Sequence, residues 1–570
     1  MLSYNKYKDD PNVLGTTVID SKVPNLSQEL GLKKKDGIIL NPTPTSHPDD
    51  PLNWSTPRKL LHNYLLFFYC LILAAAPTWM GPIYMLLKVD LKVTLHQLNR
   101  ANALVFFFLA VSCLLVQPLA NSWGRRPVYL ISTFLTVIGM VIIGATATYG
   151  GLLASCIILG LAVGPIDSLV EVSITDIFFL HEHGRYMGIY ILATSMGSSF
   201  GPFISGYVAQ DLPTWRWSPY IVIIVGSTLL IVHFFFLEES IFDRDLYIDE
   251  EADHKKMLTV AVSNVSQVKG DVNIDGNLPA LDEAMTSKHE EKIEQTLADS
   301  ADSLTTEQEE TIDHTIKKKT FYQKMYFFSS QSKSLSILEL IQGCFSSLRA
   351  VRLPAVFLGA VIYGIQIWWL SLQQTATSVL YAGPPYLFKP NELSNLSLAG
   401  VVGSFLAVIY NMFSDPVQLY FCKREGSNGL FEPEYRLIMN FIPTILNALG
   451  ILLFGYAPLY KLHWFAGACG ICFINFGMSA IISNTLAYVL ESYPGKNMAV
   501  TSMSSILFYR NVVGGVFTLV FQYWYDAQGA KGIIGTLGGL CIALNSLVIV
   551  FWFYGKSLRK YAQEKYHLTV

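Results

Sequence analysis

Two acidic side chains lie inside a strongly apolar stretch, "GLAVGPIDSLVEVSITDIFFL" at residues 160–180. Asp167 and Glu171 are four residues apart, so on a helix they share one face. A carboxylate near the centre of a bilayer costs about 2.5–3.5 kcal/mol on insertion scales, and two in one span therefore need a compensating role. The spacing predicts that this face lines a cavity and binds a cation, a proton, or both in turn.

Repulsion between the two carboxylates offers a way to couple these ions. Side chains one helical turn apart lie about 6 Å from each other. Two buried negative charges at that separation favour a state in which one of them keeps a proton. An arriving ammonium or guanidinium group would displace that proton. The alternative is structural, with both carboxylates paired to a hidden Arg or satisfied by hydroxyl groups.

Other polar side chains in apolar stretches can complete a cation site. Asn484 is a candidate for a substrate hydrogen bond or for helix packing. Arg510 is either a counter-charge or a cation that snorkels to the interface, and we favour the second interpretation. Aromatic faces stabilise ammonium groups by about 0.5–2 kcal/mol each. The further side chains that we expect to line the cavity are Tyr84 and, at helical spacing on one stripe, Tyr363, Gln366 and Trp369.

Twelve long apolar runs place these residues within a membrane. Of the 570 residues, 52% are hydrophobic and only 15% are charged, against about 25% charged in soluble domains. Each run can cross a hydrocarbon core of about 30 Å at 1.5 Å per residue. We therefore predict an all-α membrane protein with twelve transmembrane helices in two six-helix bundles. The runs are residues 60–86, 98–119, 128–148, 152–178, 187–209, 219–237, 355–381, 397–419, 435–456, 463–490, 499–522 and 532–555.

Polar stretches set the domain boundaries around these runs. The stretch before the first run and the central interval are polar and charged, so both are expected to be largely disordered. Lys and Arg cluster in short loops on the side of the two termini, which places the termini and the central loop in the cytosol. The predicted parts are a tail (1–57), a six-helix bundle (58–238), a central loop (239–353), a second bundle (354–556) and a tail (557–570).

Two smaller features concern the surface of the molecule. The flanks of the central loop are mildly amphipathic, and they either lie along the inner membrane surface or act as a plain linker. The "NLS" at Asn395 is a glycosylation sequon in the sizeable outer loop before span eight. We expect a multi-pass protein of the plasma membrane, with the vacuolar membrane as the alternative.

Several classes of function are disfavoured. No nucleotide-binding loop, zinc-binding helix or nucleophile elbow occurs in the sequence, which argues against an ATP-driven pump and against an enzyme. Cys469 and Cys472 form a C-x-x-C inside a predicted span, and we interpret them as packing residues. We expect no metal, no cofactor and no nucleic acid. The expected partners are a small cationic substrate, protons and membrane lipids, for a chain that functions as a monomer.

The loop between spans two and three, "PLANSWGRRPVYL", resembles the G-x-L-A-D-x-x-G-R-[RK] motif of the major facilitator superfamily. Gln117 and Asn121 replace the glycine and the acidic residue of the motif. The resemblance implies an inner gate at this loop. The residues that match the motif are Leu119, Ala120, Gly124, Arg125 and Arg126.

Carboxylates at the inner ends of other spans are expected to belong to the same gate. Asp176 ends span four, and Glu491 occupies the corresponding place after span ten. Asp415 lies in what resembles a second-half copy of the loop motif. Because the ends of spans are readily solvated, we expect all three to pair with arginines such as Arg125 rather than to contact the substrate.

Span five carries a second motif, "GSSFGPFISG", which resembles the signature of twelve-span drug:proton antiporters through Gly197, Gly201, Pro202 and Gly206. Small residues four apart let helices approach closely, and Pro bends the span. Together with "DPLNWS", "TWRW" and "YVLESYP", it resembles the fungal members of this group. "EVSITDIFFLHEHGR" is most similar to the branch that takes up histidinol and polyamines.

The sequence differs from the family at one position in span four that matters for proton coupling. The resemblance implies an Arg in span four where this chain has Cys156. Proton coupling therefore has to fall elsewhere, and Asp167 and Glu171 are nearest. We predict a secondary transporter of polyamines or cationic amino-acid derivatives that works by alternating access, with uptake coupled to protons or to the membrane potential. The alternatives are a multidrug:proton antiporter and a non-transporting nutrient receptor.

Overall fold

The first six spans follow a tail of which only short pieces are described. In span four, Pro165 lies inside the helix, and the helix is interrupted at Leu169, between the two candidate carboxylates. The helices are Thr56–Thr78 with Tyr84–Asp90 (span one), Leu95–Trp123 (two), Arg125–Ala145 (three), Tyr149–Ser168 with Val170–Ile177 (four), Leu180–Asp211 (five) and Trp217–Phe236 (six). The computed structural model describes residues 13–18, 34–35, 38–39, 45, 47, 49–242, 336–423, 430–493 and 496–566.

The second half begins with an amphipathic helix, Ile337–Arg349, which we call the surface helix. Spans eleven and twelve form one long helical run that turns at Gly529, whose φ of +67° is a left-handed conformation that glycine adopts readily. The helices are Pro354–Tyr381 (span seven), Pro390–Asn411 with Ser414–Lys423 (eight), Phe441–Leu459 (nine), Trp464–Ser492 (ten), Lys496–Asn545 (eleven and the start of twelve) and Leu547–Tyr566.

Twelve crossings account for these helices. Within the described residues, ten helical stretches are long and apolar enough to span a membrane. One of them, Met498–Tyr566, has 69 residues, whereas one crossing needs about 20, so this stretch contains two spans. Span five has 32 residues but is rich in Gly and Ser, and it completes the set. The predicted all-α membrane fold is confirmed.

The two halves repeat one packing arrangement. Span one packs along span five and span two along span four, just as span seven packs along span eleven and span eight along span ten. The halves meet where span two lies along span eleven and span five along span eight. This pseudo-symmetry leaves the inner surfaces of both bundles facing each other.

The glycines of span five stand at the closest of these contacts. A Cβ on Gly197 would lie 2.3 Å from the carbonyl oxygen of Leu71, and one on Gly201 would lie 2.5 Å from that of Ala75, both in span one. Gly206 instead approaches the start of span eight, where a Cβ would lie 2.4 Å from the Pro390 oxygen. The motif therefore packs span five against both halves.

Part of the N-terminal tail is docked rather than free. β1 (Thr17–Val18) pairs in antiparallel fashion with β4 (Leu430–Phe431), while β2 (Lys34–Lys35) pairs with β3 (Ile38–Ile39). Leu14 is 2% exposed, and its carbonyl oxygen accepts a hydrogen bond from Arg559 of span twelve. These few residues differ from the disordered tail that we expected. Most of the predicted central loop, residues 243–335, lies outside the described residues.

Candidate functional site

A cavity of about 160 Å³ lies between the two halves. It is close in size to an engineered cavity of about 150 Å³ that holds benzene, so it can accept a small organic molecule. Both halves contribute polar and apolar walls, which places the cavity where alternating access requires a site. Its lining includes Asn102, Phe106, Asp167, Glu171 and Tyr190 from the first half and Tyr363, Ile482, Arg510 and Asn511 from the second.

Asp167 forms an ion pair across the cavity. The Arg510 guanidinium in span eleven donates a hydrogen bond to its Oδ2, and the two side chains are 12% and 3% exposed for Asp167 and Arg510. The guanidinium carbon also lies 4.2 Å from the centre of the Tyr363 ring, a cation–π geometry. Arg510 is therefore a counter-charge held between the halves, and the snorkelling that we favoured from the sequence is wrong.

Glu171 lines the same cavity without such a partner. Its side chain is partly buried, and within the described part of the chain it has no hydrogen-bond or ion-pair partner. With Asp167 and Arg510, the described lining of the cavity contains two carboxylates and one guanidinium. When all three are ionised, the net charge is negative. A carboxylate in such apolar surroundings favours a proton or an organic cation as its partner.

Of the predicted stripe in span seven, only Tyr363 reaches the cavity. Gln366 is fully buried and exchanges hydrogen bonds with Asn545 (3.1 Å) and Asn447 (2.9 Å) in a polar cluster of the second half. Trp369 lines a separate cavity of about 60 Å³ within that half. The expectation that all three share one cavity-facing stripe is therefore wrong, because the stripe packs against spans nine and twelve.

Two further candidates are also placed away from the cavity. The Asn484 amide oxygen accepts a hydrogen bond from Ser414 (3.2 Å), and its nitrogen donates to Asn411 (3.3 Å), so this side chain joins span ten to span eight. Tyr84 is 2% exposed and hydrogen-bonded to Thr375 of span seven. Asn484 thus corresponds to the helix-packing alternative, and Tyr84 joins the two halves.

The loop motif after span two contains a buried ion pair. Arg125 Nε lies 3.3 Å from Asp176 Oδ2, with side chains 4% and 6% exposed. Arg125 also donates to the Asn121 Oδ1 at 2.9 Å, so the amide at the acidic motif position still accepts a hydrogen bond. Arg126 donates to the Phe234 carbonyl oxygen at 2.5 Å. These contacts tie the inner ends of spans three, four and six together.

Glu239, which sequence reasoning missed, caps the start of span three. Its carboxylate accepts hydrogen bonds from the backbone nitrogens of Arg125 (2.8 Å) and Arg126 (3.1 Å). Burial raises the pKa of the Glu239 carboxyl above its ordinary value, while these backbone hydrogen bonds act in the opposite direction. A Glu more than 110 residues away carries no local helix-capping signal, so only the fold reveals this contact.

The second half holds a pair at the equivalent place. Arg436 Nη2 lies 2.6 Å from Glu491 Oε1 at the end of span ten, and Gln418 donates to the other oxygen at 3.2 Å. Asp415 belongs to the helix Ser414–Lys423, and its side chain is outside the described residues. The ion pairs Arg125–Asp176 and Arg436–Glu491 each lie within one half, so neither pair bridges the halves.

Contacts between the halves occur on the face opposite the termini, which we call the far face. His96 lies 3.2 Å from Asp526, Arg100 donates to the Tyr523 hydroxyl at 3.1 Å, and the Tyr207 hydroxyl donates to Asn395 at 2.8 Å. Together they join the two halves at the far face. Asn395 lies inside the helix Pro390–Asn411 rather than in a loop, which corrects its predicted position.

Two pseudo-symmetric six-helix bundles around a charged central cavity define a membrane transporter. The sequence model of the Major Facilitator Superfamily matches residues 66–518 of the chain, which therefore belongs to this family. An uncharacterized MFS-type transporter of Schizosaccharomyces pombe is 28% identical, over 97% of this chain and 94% of its own length. Protein HOL1 of Saccharomyces cerevisiae is 25% identical, over 94% and 93%. The resemblance to fungal transporters is confirmed.

Solved structures support the fold. The human organic anion transporter MFSD10 aligns with a TM-score of 0.51 at 14% identity, over 86% of this chain and 99% of its own. A POT family transporter in complex with 5-aminolevulinic acid gives 0.52 at 13% identity, over 88% and 96%. At these identities the likeness concerns the fold alone, and the substrate has to be argued from the cavity.

Proposed function

We propose that this protein is a secondary transporter of organic cations, with polyamines and cationic amino-acid derivatives as its substrate class. The observation that carries the proposal is the charge of the central cavity, where Asp167 and Glu171 face one cation, Arg510, among the described residues. An ammonium group beside Glu171 would remove the excess negative charge. The apolar walls and the Tyr363 ring would contact the aliphatic part of the substrate.

The same residues can couple transport to protons. A proton on Glu171 neutralises the cavity when no substrate is bound, and an arriving ammonium group takes its place. Inward movement of each positive charge also gains about 2.3 kcal/mol per 100 mV of inside-negative potential. We place the protein in the plasma membrane with both termini in the cytosol, where this potential favours uptake.

The test is uptake of radiolabelled spermidine by proteoliposomes that contain the wild-type protein, Asp167→Asn or Glu171→Gln. Each substitution removes one negative charge from the cavity, so uptake should fall about tenfold or more, as for the loss of a charge-assisted contact. Asp211→Asn and Glu564→Gln are matched controls, because both carboxylates are exposed at the surface. Normal uptake by both cavity variants would contradict the proposal.

Export of drugs in exchange for protons is the second candidate, since the span-five motif resembles that of drug:proton antiporters. The two directions respond differently to a collapsed pH gradient in vesicles. Proton-driven export should stop, whereas uptake driven by an inside-negative potassium diffusion potential should persist. Measuring spermidine movement in both regimes therefore separates the two candidates.

A further inference from the structure

We propose that Arg510 is an internal cation that masks Asp167 while the cavity is empty, so that Glu171 makes the first contact with the substrate. The inference rests on the proposed function, because it divides the work between the two carboxylates of that same site. In this arrangement Arg510 is a positioning residue. Asp167 binds the substrate only after Glu171 has made the first contact.

The geometry of the pair supports this division. Asp167 comes from span four and Arg510 from span eleven, so their ion pair joins the two halves at the cavity. Tyr363, also in the second half, lies under the guanidinium at 4.2 Å and holds it in place. Glu171 has no such partner among the described residues and faces the cavity.

The ion pair is also incompletely satisfied. Arg510 Nε is buried, and within the described part of the chain it has no hydrogen-bond partner. A buried ion pair is favourable only when the remaining donors and acceptors are matched, and an unmatched donor weakens it. The guanidinium keeps its charge at any physiological pH. An ammonium group of the substrate therefore has to compete with Arg510 for the Asp167 carboxylate.

Charge balance shows what each substitution does. In Asp167→Asn, Arg510 loses its partner, and Glu171 becomes the carboxylate available to it. The cavity is then neutral, and the first contact with the substrate is blocked. In the double variant Asp167→Asn/Arg510→Gln, Glu171 is again unpaired and the net negative charge returns. The masking role therefore predicts that removing Arg510 repairs the damage caused by removing Asp167.

A second ammonium group on the substrate fits this arrangement. Asp167 lies about one helical turn from Glu171, so once the first ammonium is held at Glu171, a second ammonium at about that distance can replace Arg510 at Asp167. Substrates with two ammonium groups should therefore bind more tightly than matched monoamines. Because Asp167 and Arg510 belong to different halves, replacing the ion pair also frees the halves from each other at the cavity.

The test measures spermidine uptake in proteoliposomes with equal amounts of folded protein. Asp167→Asn should be impaired about tenfold, and Asp167→Asn/Arg510→Gln should recover most of that loss. Asp167→Asn/Arg510→Lys keeps a cation and should stay impaired. Glu171→Gln/Arg510→Gln restores the same net charge and exposes Asp167, so it should recover part of the loss caused by Glu171→Gln, whereas Glu171→Gln/Arg510→Lys should stay impaired. Where a Gln variant does not fold, Arg510→Met serves instead.

Two outcomes overturn the inference. If Asp167→Asn/Arg510→Gln is no better than Asp167→Asn, then Asp167 is itself a direct ligand and Arg510 does not mask it. If Asp167→Asn/Arg510→Lys recovers as well as Asp167→Asn/Arg510→Gln, a cation at position 510 does not mask a carboxylate. In either case the single variants remain impaired, so the cation site survives. Failure of the proposed function would instead leave the single variants Asp167→Asn and Glu171→Gln fully active.

Discussion

Substitution of Tyr363 tests whether its aromatic ring contributes to the binding of cations in the cavity. The ring lies 4.2 Å from the Arg510 guanidinium, an interaction worth about 0.5–2 kcal/mol in proteins. Tyr363→Leu removes the ring that we propose contacts the substrate and should raise the KM for spermidine several-fold, while Tyr363→Phe keeps the ring face and should stay close to the wild type. Equal KM values for the Leu and Phe variants would show that the aromatic face plays no part.

The position of Asp167 and Glu171 on a cavity could be predicted from the sequence because burying a carboxylate is costly wherever the fold places it. The partner of Asp167 could not be predicted. Arg510 is 343 residues further along the chain, and pairing depends on how spans four and eleven face each other. Gln366 was predicted to face the cavity because a polar side chain deep in a span needs hydrogen-bond partners. The structure shows that it finds such a partner, Asn545, within its own half.

The elements themselves were largely predictable, because the length of an apolar run decides whether it can cross a bilayer. Their ends were less so. The span that contains Asn395 begins at Pro390, where Pro at the first helical turn favours a helix start. The docking of Leu14 onto Arg559 joins residues from opposite ends of the chain, and no local pattern of hydrophobicity indicates such a contact.

Substitution of two glycines of span five by alanine should change the stability of the protein in opposite directions. A Cβ on Gly201 would lie 2.5 Å from the backbone oxygen of Ala75, whereas a Cβ on Gly188 would meet nothing within 4 Å. Gly201→Ala should therefore destabilise the protein by about 1–3 kcal/mol through overpacking. Gly188→Ala should stabilise it by about 0.5–1 kcal/mol through its higher helix propensity.

Thermal unfolding of the purified protein in detergent measures both effects, and Gly188→Ala serves as the control for substitution within the same helix. A lower midpoint for Gly201→Ala together with an unchanged or higher midpoint for Gly188→Ala is the expected pattern. If Gly201→Ala were neutral, spans one and five would have room to separate, and the motif would not serve close packing.

At the scale of the whole molecule, the alternating-access cycle that we propose gives the two faces of the structure different roles. The halves contact each other on the far face through pairs such as His96–Asp526 and Tyr207–Asn395. Among the described residues, the ion pairs Arg125–Asp176 and Arg436–Glu491 on the opposite face each stay within one half. For the cavity to reach the far side, the contacts on the far face have to break while the two bundles rotate against each other.

A cross-link on the far face tests this requirement. His96 and Asp526 are 3.2 Å apart at their side-chain tips and are 35% and 53% exposed, so cysteines at these positions are open to a short bis-methanethiosulfonate reagent. Cross-linking His96→Cys/Asp526→Cys should abolish spermidine uptake, and reduction should restore it. Each single variant with the same reagent controls for modification alone. Because the link joins the two halves, continued uptake by the cross-linked protein would mean that these contacts stay closed throughout transport.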